Sequence, residues 1–314
     1  MINEKFDFYS PSNIDFKDLD KDLLNSLSVI NKLDDFTTLH CINVSNLCTR
    51  VCQYMRCNTQ FTIHCMIAGY IHDIGNLFIP KEIVQKPGPL TEAEFEIMKT
   101  HTTRGYEYCM NDPNLRPYSD GPLYHHESLN GTGYPQGLKK KDIPYSAQII
   151  KVCDIYDALV AKRNYKTHVD ISKTLKELIA FTKPTKSIIA LDNLRQKEKY
   201  GSINPRPLKA LFNVVIDDIL YEISCVMNYV DYLSSNIRRL ENIKKYHDKY
   251  NSATDPSKKD YYLAGINLLL SDTETLKNYQ RILYEYKEAY KVRKERINNL
   301  YKEIKIIKRL KFWL

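Results

Sequence analysis

Two apolar seams in the last third of the chain constrain its fold more than any other feature. From Phe212 the residues Ile216, Ile219, Ile223, Val226, Val230, Leu233, Ile237 and Leu240 follow in alternating steps of four and three. A second seam runs Leu276, Tyr279, Leu283, Tyr286, Tyr290, Arg293, Ile297, Leu300, Ile304 and Ile307, interrupted only by Arg293. Heptad spacing lines one side of an α-helix with apolar groups that need a partner. Two long helices are therefore predicted, roughly 207 to 250 and 272 to 311, joined through a turn at Asp255-Pro256-Ser257 and a short apolar helix up to Leu270. They can fold back on each other as an antiparallel hairpin, each pair with its copy in a homodimer, or lie on the core as ordinary amphipathic helices. A homodimer through these helices is expected.

Upstream, alternating Val/Ile/Thr runs are few and helical spacing recurs, which predicts a nearly all-α chain. Thr91 with Glu94 and Ser271 with Glu274 have the spacing in which hydroxyl and carboxylate satisfy free backbone donors at a helix start. From Asp112 to Pro144 nine Pro and Gly residues argue against a continued helix and predict a long structured loop. At 314 residues the chain suits two domains. The expected division is an N-terminal segment over 1–29, a catalytic region over 30–215 and a C-terminal helical region over 216–314. The first segment is too short to form its own core, so regulation is expected from the tail or a partner.

The net charge is +8, yet ten Lys/Arg against three Glu fall between Tyr286 and Leu314, so the basicity is local. Such a run is most often a solvated helix face; an anionic membrane surface, nucleic acid or a protein partner is the alternative. No apolar stretch approaches the roughly 18 residues of a membrane span, and the N-terminus lacks an export pattern. A cytoplasmic location with eight reduced cysteines follows. Cys48 and Cys52, four apart on a predicted helix, read as small apolar core residues rather than as metal ligands.

Chemistry concentrates in His and Asp. His72-Asp73 lies in Gly69–Gly75, read as part of a helix that begins near Phe61. Alone, the pair is weak. It gains weight from His40 on a preceding helix, His101 on the helix opened by Thr91, the doublet His125-His126, and Asp154 in a later helix. Imidazole and carboxylate together suit iron, manganese, zinc or nickel, and seven such groups exceed what one ion needs. Two divalent ions bridged by Asp73 absorb the surplus, with His40, His72 and Asp154 on one ion and His101, His125 and His126 on the other.

These residues lie in a pattern that resembles the HD-GYP family of cyclic di-GMP phosphodiesterases, within the HD phosphohydrolase superfamily. It includes His72-Asp73-Ile74-Gly75, Ile79-Pro80, Lys86-Pro87-Gly88, Met98-Lys99-x-His101 with Gly105, and HHESLNGTGYPQGL from His125 to Leu138. It continues through Ile143-Pro144, Ala147-Gln148-Ile149, Asp154-x-Tyr156-Asp157-Ala158-Leu159 and Arg163-x-Tyr165-Lys166, covering roughly 30 to 215. The resemblance implies an HD-domain helical bundle and the same seven metal ligands, with iron or manganese as the expected pair of ions. It implies a phosphodiesterase that hydrolyses cyclic di-GMP to linear pGpG or GMP, His72 and Asp73 being central to catalysis. Arg163 and Lys166 would approach substrate phosphates, and Gly131, Gly133, Tyr134 and Pro135 would shape the loop over the pocket. Paired cations suit this chemistry because they acidify a bridging water and neutralise charge on phosphoryl oxygens. Glu127 is expected to hydrogen-bond a ligand imidazole.

Three positions depart from the family pattern. Phe36 stands where some members carry a metal-binding Glu, Asn76 replaces the usual Lys after His72-Asp73-Ile74-Gly75, and Asn130 replaces an Asp. Asn76 remains a candidate substrate contact but brings no charge, a loss of about 1.5 to 3 kcal/mol in a phosphate interaction. The alternatives are therefore a different cyclic dinucleotide, such as hybrid cyclic GMP-AMP, and a weakly active sensor that signals through the C-terminal helices.

Overall fold

A computed structural model describes residues 19–163, 171–183, 200–270 and 273–314, without the side chains of 161–163 and 273–277. The described residues are helical apart from turns and a single bridge between Asn130 and Lys139. In chain order the helices are α1 (Lys21–Leu27), α2 (Asp35–Tyr54), α3 (Thr59–Tyr70), α4 (Lys81–Val84), α5 (Glu92–Lys99), α6 (His101–Asn111), α7 (Asp120–Tyr124), α8 (Tyr145–Arg163), α9 (Ile171–Thr182), α10 (Pro205–Ser252), α11 (Pro256–Leu269) and α12 (Thr273–Lys311). No helix among the described residues is long and apolar enough to cross a membrane.

Caps mark the helices that build the site. Asp34 accepts the backbone N–H groups of Phe36 and Thr37 to start α2, and Asn58 accepts that of Phe61 to start α3. The reciprocal Thr91 and Glu94 bonds open α5 as expected. The expected Ser271 cap lies outside the described residues.

By its contacts the described chain divides into two compact units, one running to Asp217 and including Ile306–Leu314, the other Asp218–Lys305. In the first, α2 and α3 pack on each other and on α8. Cys41, Met66, Ile67, Ile71 and Ile74 form a core directly beneath the His72-Asp73 turn. In the second, Leu240 and Ile243 of α10 pack against Tyr279 and Leu283 of α12. The ion pairs Glu241–Lys287 (2.7 Å) and Glu222–Arg296 (2.8 Å) run in opposite chain directions, so the two helices form an antiparallel hairpin. Arg293, the polar interruption of the seam, lies 5.2 Å from the Tyr229 ring centre, where a guanidinium interacts favourably with an aromatic face.

Two local expectations are corrected. Helix α3 ends at Tyr70, and His72 and Asp73 occupy a turn leading into a 3-10 helix over Ile74–Phe78. A Cβ on Gly75 would lie 1.8 Å from the His101 carbonyl oxygen, so glycine lets this turn meet the start of α6. The stretch from Asp112 to Pro144 is not one loop, because it contains a 3-10 turn at Arg116–Tyr118 and helix α7. Pro117 and Pro122 fall in first turns, where a missing N–H breaks no helical bond.

Candidate metal centre

The seven predicted ligands come from five places: His40 from α2, His72 and Asp73 from the turn after α3, His101 from α6, His125 and His126 from the end of α7, and Asp154 from α8. Their rings meet. Centroid separations are 5.2 Å for His40–His72, 5.0 Å for His72–His125, 5.2 Å for His101–His125 and 4.1 Å for His125–His126.

Backbone carbonyls decide which nitrogen faces inward. The Nδ1–H of His72 donates to Gly69 O (2.7 Å), that of His101 to Met98 O (2.7 Å) and that of His125 to Gly121 O (2.9 Å). Each ring therefore presents an Nε2 lone pair to the centre. His101 Nε2 and His125 Nε2 lie 3.2 Å apart. Asp73 Oδ1 is 3.4 Å from His101 Nε2 and 3.8 Å from His125 Nε2, and Asp73 Oδ2 is 3.5 Å from His72 Nε2. His72 Nε2 is buried with no hydrogen-bond partner.

Lone pairs converging on a carboxylate repel one another in a buried site, and a cation among them removes that cost. The donor set thus fits divalent ions. Two groups of ligand atoms lie mutually within 4.8 Å, Asp73 with His101, His125 and His126, and Asp73 with His40 and His72. Asp73 belongs to both, as its expected bridging role requires. Asp154 stands just outside the second group, with its Oδ1 3.1 Å from His40 Nε2.

Electrostatics follow position. Burial and the neighbouring imidazoles push His125 and His126 well below the usual histidine range, keeping both neutral as metal ligation needs. Burial opposes charge on His40, but Asp154 and Asp157 outweigh it and hold its pKa at about 11. Burial likewise opposes the Asp154 carboxylate, yet the bond from His40 keeps that group ionised well below its usual range.

Three residues around the ligands carry roles that spacing did not reveal. Asp157 Oδ2 accepts the His40 Nδ1–H at 2.7 Å, the carboxylate support that orients ligand imidazoles. Its signal was available, since Asp154 and Asp157 are three apart on α8 and share a face. Lys151, three residues earlier, donates its Nζ to His126 O at 3.1 Å, and burial pulls its pKa down to about 8 despite Asp154 and Glu127. Phe95 meets the Tyr134 ring edge-on at 6.1 Å.

Glu127 departs from its expected role. Its carboxylate accepts the backbone N–H groups of Gln136 (2.7 Å) and Leu138 (2.8 Å), clamping the loop rather than bonding an imidazole. Gly133 belongs to the same clamp, because a Cβ there would lie 2.3 Å from Ser128 N. The clamped loop seats Tyr134 flat on His126, centroids 4.6 Å apart, and Pro135 follows through a cis peptide. Asn130 accepts from Thr132 and donates its amide to Tyr200 O at 2.8 Å, a bond that the usual Asp could not make. Asn76 Oδ1 is buried without a partner. The Arg163 side chain and Lys166 lie outside the described residues.

In an all-α chain, His and Asp ligand atoms gathered around one shared carboxylate could hold a pair of metal ions. Residues 20–184 match the HD domain, and the chain belongs to this family, in its HD-GYP branch. It is 37% identical to a cyclic di-GMP phosphodiesterase of Thermotoga maritima over 52% of this chain and 46% of that protein. It is 31% identical to one of Pseudomonas aeruginosa over 49% of this chain and 38% of that protein. A 3'3'-cGAMP-specific phosphodiesterase of Vibrio cholerae is 29% identical over 47% of this chain and 34% of that protein. The chain therefore spans less than half the length of each of these relatives.

Proposed function

We propose that the chain is a metal-dependent phosphodiesterase that hydrolyses cyclic di-GMP to linear pGpG or GMP. The observation that carries this reading is the set of buried Nε2 lone pairs facing one carboxylate, with His101 and His125 nitrogens 3.2 Å apart. Two divalent cations, when bound, supply an acidified water and neutralise charge developing on the phosphoryl oxygens. Iron and manganese suit this mixed imidazole and carboxylate set.

The protein's own residues do the rest. Asp73 is shared by the two ligand groups; His40, His72 and Asp154 complete one side, and His101, His125 and His126 the other. Asp157 fixes the direction of the His40 ring by taking its Nδ1–H. Tyr134, held flat on His126, forms a wall against which a nucleotide can lie. Arg163 offers a fork for a phosphate and Lys166 a point charge. Asn76 leaves the position after Gly75 uncharged, which weakens the grip on a phosphate there.

Relatives named as 3'3'-cGAMP-specific keep a second substrate in play. The test loads the protein with iron or manganese and incubates it with cyclic di-GMP, hybrid cyclic GMP-AMP and cyclic di-AMP, followed by product analysis. Conversion of cyclic di-GMP is expected to be fastest. Preferential conversion of the hybrid would move the substrate assignment. Binding without product, independent of metal and lost in Arg163→Ala, would replace the enzyme reading with a sensor.

A further inference from the structure

Helix α2 ends in a turn that brings two cysteines together. Arg56 has a positive φ of 55°, its N–H donates to Gln53 O at 3.0 Å, and the Cys57 N–H donates to Cys52 O at 3.0 Å. This pair of bonds is the Schellman arrangement, which lays the side chain two places past the helix end over one in its last turn. Here both side chains carry thiols. The Cys57 side chain is thus carried back towards Cys52, whose thiol also feels Cys65 of α3 electrostatically. Cys52 and Cys65 are buried, whereas Cys57 is partly exposed.

We propose that Cys57 and Cys52 form an oxidisable dithiol that closes to a disulfide when the protein meets a hydroperoxide. Cys57 reacts first because it is the accessible sulfur. Cys57 loses its proton and its thiolate attacks hydrogen peroxide; an S–O bond forms, the O–O bond breaks, and the sulfur gives up two electrons to leave a sulfenic acid and hydroxide, which takes the released proton to become water. Cys52 then loses its proton and attacks that sulfur. An S–S bond forms, the S–O bond breaks, and hydroxide departs with the proton as a second water.

Acidity favours the second step and not the first, so the order rests on the greater exposure of Cys57. Contacts with Cys65 and Cys57 draw the Cys52 thiol below its usual range, favouring the attacking thiolate. Burial pushes Cys57 up, to about 11, against the pull of the Arg206 guanidinium. Metal ligation does not account for the cluster, since the ligand groups found among the described residues are the two at the His/Asp centre. The proposal does not rest on the hydrolase reading and can fail or succeed separately from it.

The experiment treats the reduced full chain with hydrogen peroxide, blocks free thiols with N-ethylmaleimide under denaturing conditions, and digests with trypsin. Cleavage after Arg50, Arg56 and Lys81 separates Cys52 from Cys57 and Cys65. The expected result is the loss of two of the eight alkylatable thiols and a link between peptide 51–56 and peptide 57–81. Fragmentation of the linked pair in the unmutated chain places the bond on Cys57 rather than Cys65. The link should persist in Cys65→Ala and vanish in Cys57→Ser, which alters a partly exposed position. Assignment of the bond to Cys65, survival of the link in Cys57→Ser, or eight thiols still alkylated would each overturn the proposal. So would sulfinic acid at Cys57 without a bridge.

Discussion

At the scale of single residues, Asp73 and Asp157 make different predictions. Asp73 serves both ligand groups, so Asp73→Ala is expected to lower bound metal from about two ions per chain towards none, with activity lost alongside. Elemental analysis that still finds both ions would sink the site assignment. Asp157 accepts the His40 Nδ1–H, and Asp157→Asn should weaken metal affinity by about 10- to 100-fold. Competition with a fluorescent chelator reads that change directly, and unchanged affinity would mean that the His40 ring needs no such support. His40 also fixes a pH dependence. Its pKa in the metal-free fold, held at about 11 by Asp154 and Asp157 against burial, exceeds the unfolded value of about 6.5. The proton therefore stabilises the metal-free fold fully below about pH 6.5, and that contribution is lost as pH rises through 11. A metal ion must displace this proton, so apparent affinity on the His40 side should rise with pH across the neutral range, with about one proton released. Calorimetry in buffers of different ionisation enthalpy measures that release; an absent buffer dependence would contradict the assignment.

At the scale of elements, the turn after α3 and the loop after His126 do the positioning. Gly75→Ala drives a Cβ into the His101 carbonyl, separating the turn from α6, and should cost about 1–3 kcal/mol together with metal binding. Glu127 distinguishes two accounts of the same carboxylate. As a loop clamp its replacement by Ala should leave metal content intact while turnover falls, because Tyr134 and Pro135 lose their seat. As an imidazole partner it would take metal with it. Much of the element pattern was legible beforehand: the Thr91 cap, the two long helices and the break between them all follow from local spacing. The end of α3 was not, since Gly69–Gly75 reads as helix until α6 is packed against Gly75.

At the scale of the molecule, the heptad seams left three partnerships open, and the structure pairs α10 with α12 inside one chain. Leu233, Leu240 and Ile243 are thereby 0% exposed and unavailable to a second copy. We infer that a homodimer through these helices uses the flank of α10 on which Leu220 and Met227, seven residues apart, are both exposed. Replacing Leu220 and Met227 with Lys should then convert a dimer to a monomer in sedimentation, while an unchanged mass would remove this face from consideration.

Residue chemistry and period were enough to establish an all-α chain, the two long helices and the identity of the metal-ligand candidates, because apolar spacing and ligand type are local properties of the sequence. Tertiary structure alone decided which imidazole nitrogen faces the centre, that the face shared by Asp154 and Asp157 meets His40, and that Glu127 holds the loop. Each of these depends on where a carbonyl or carboxylate elsewhere in the fold comes to rest, and spacing along a chain carries no record of that direction.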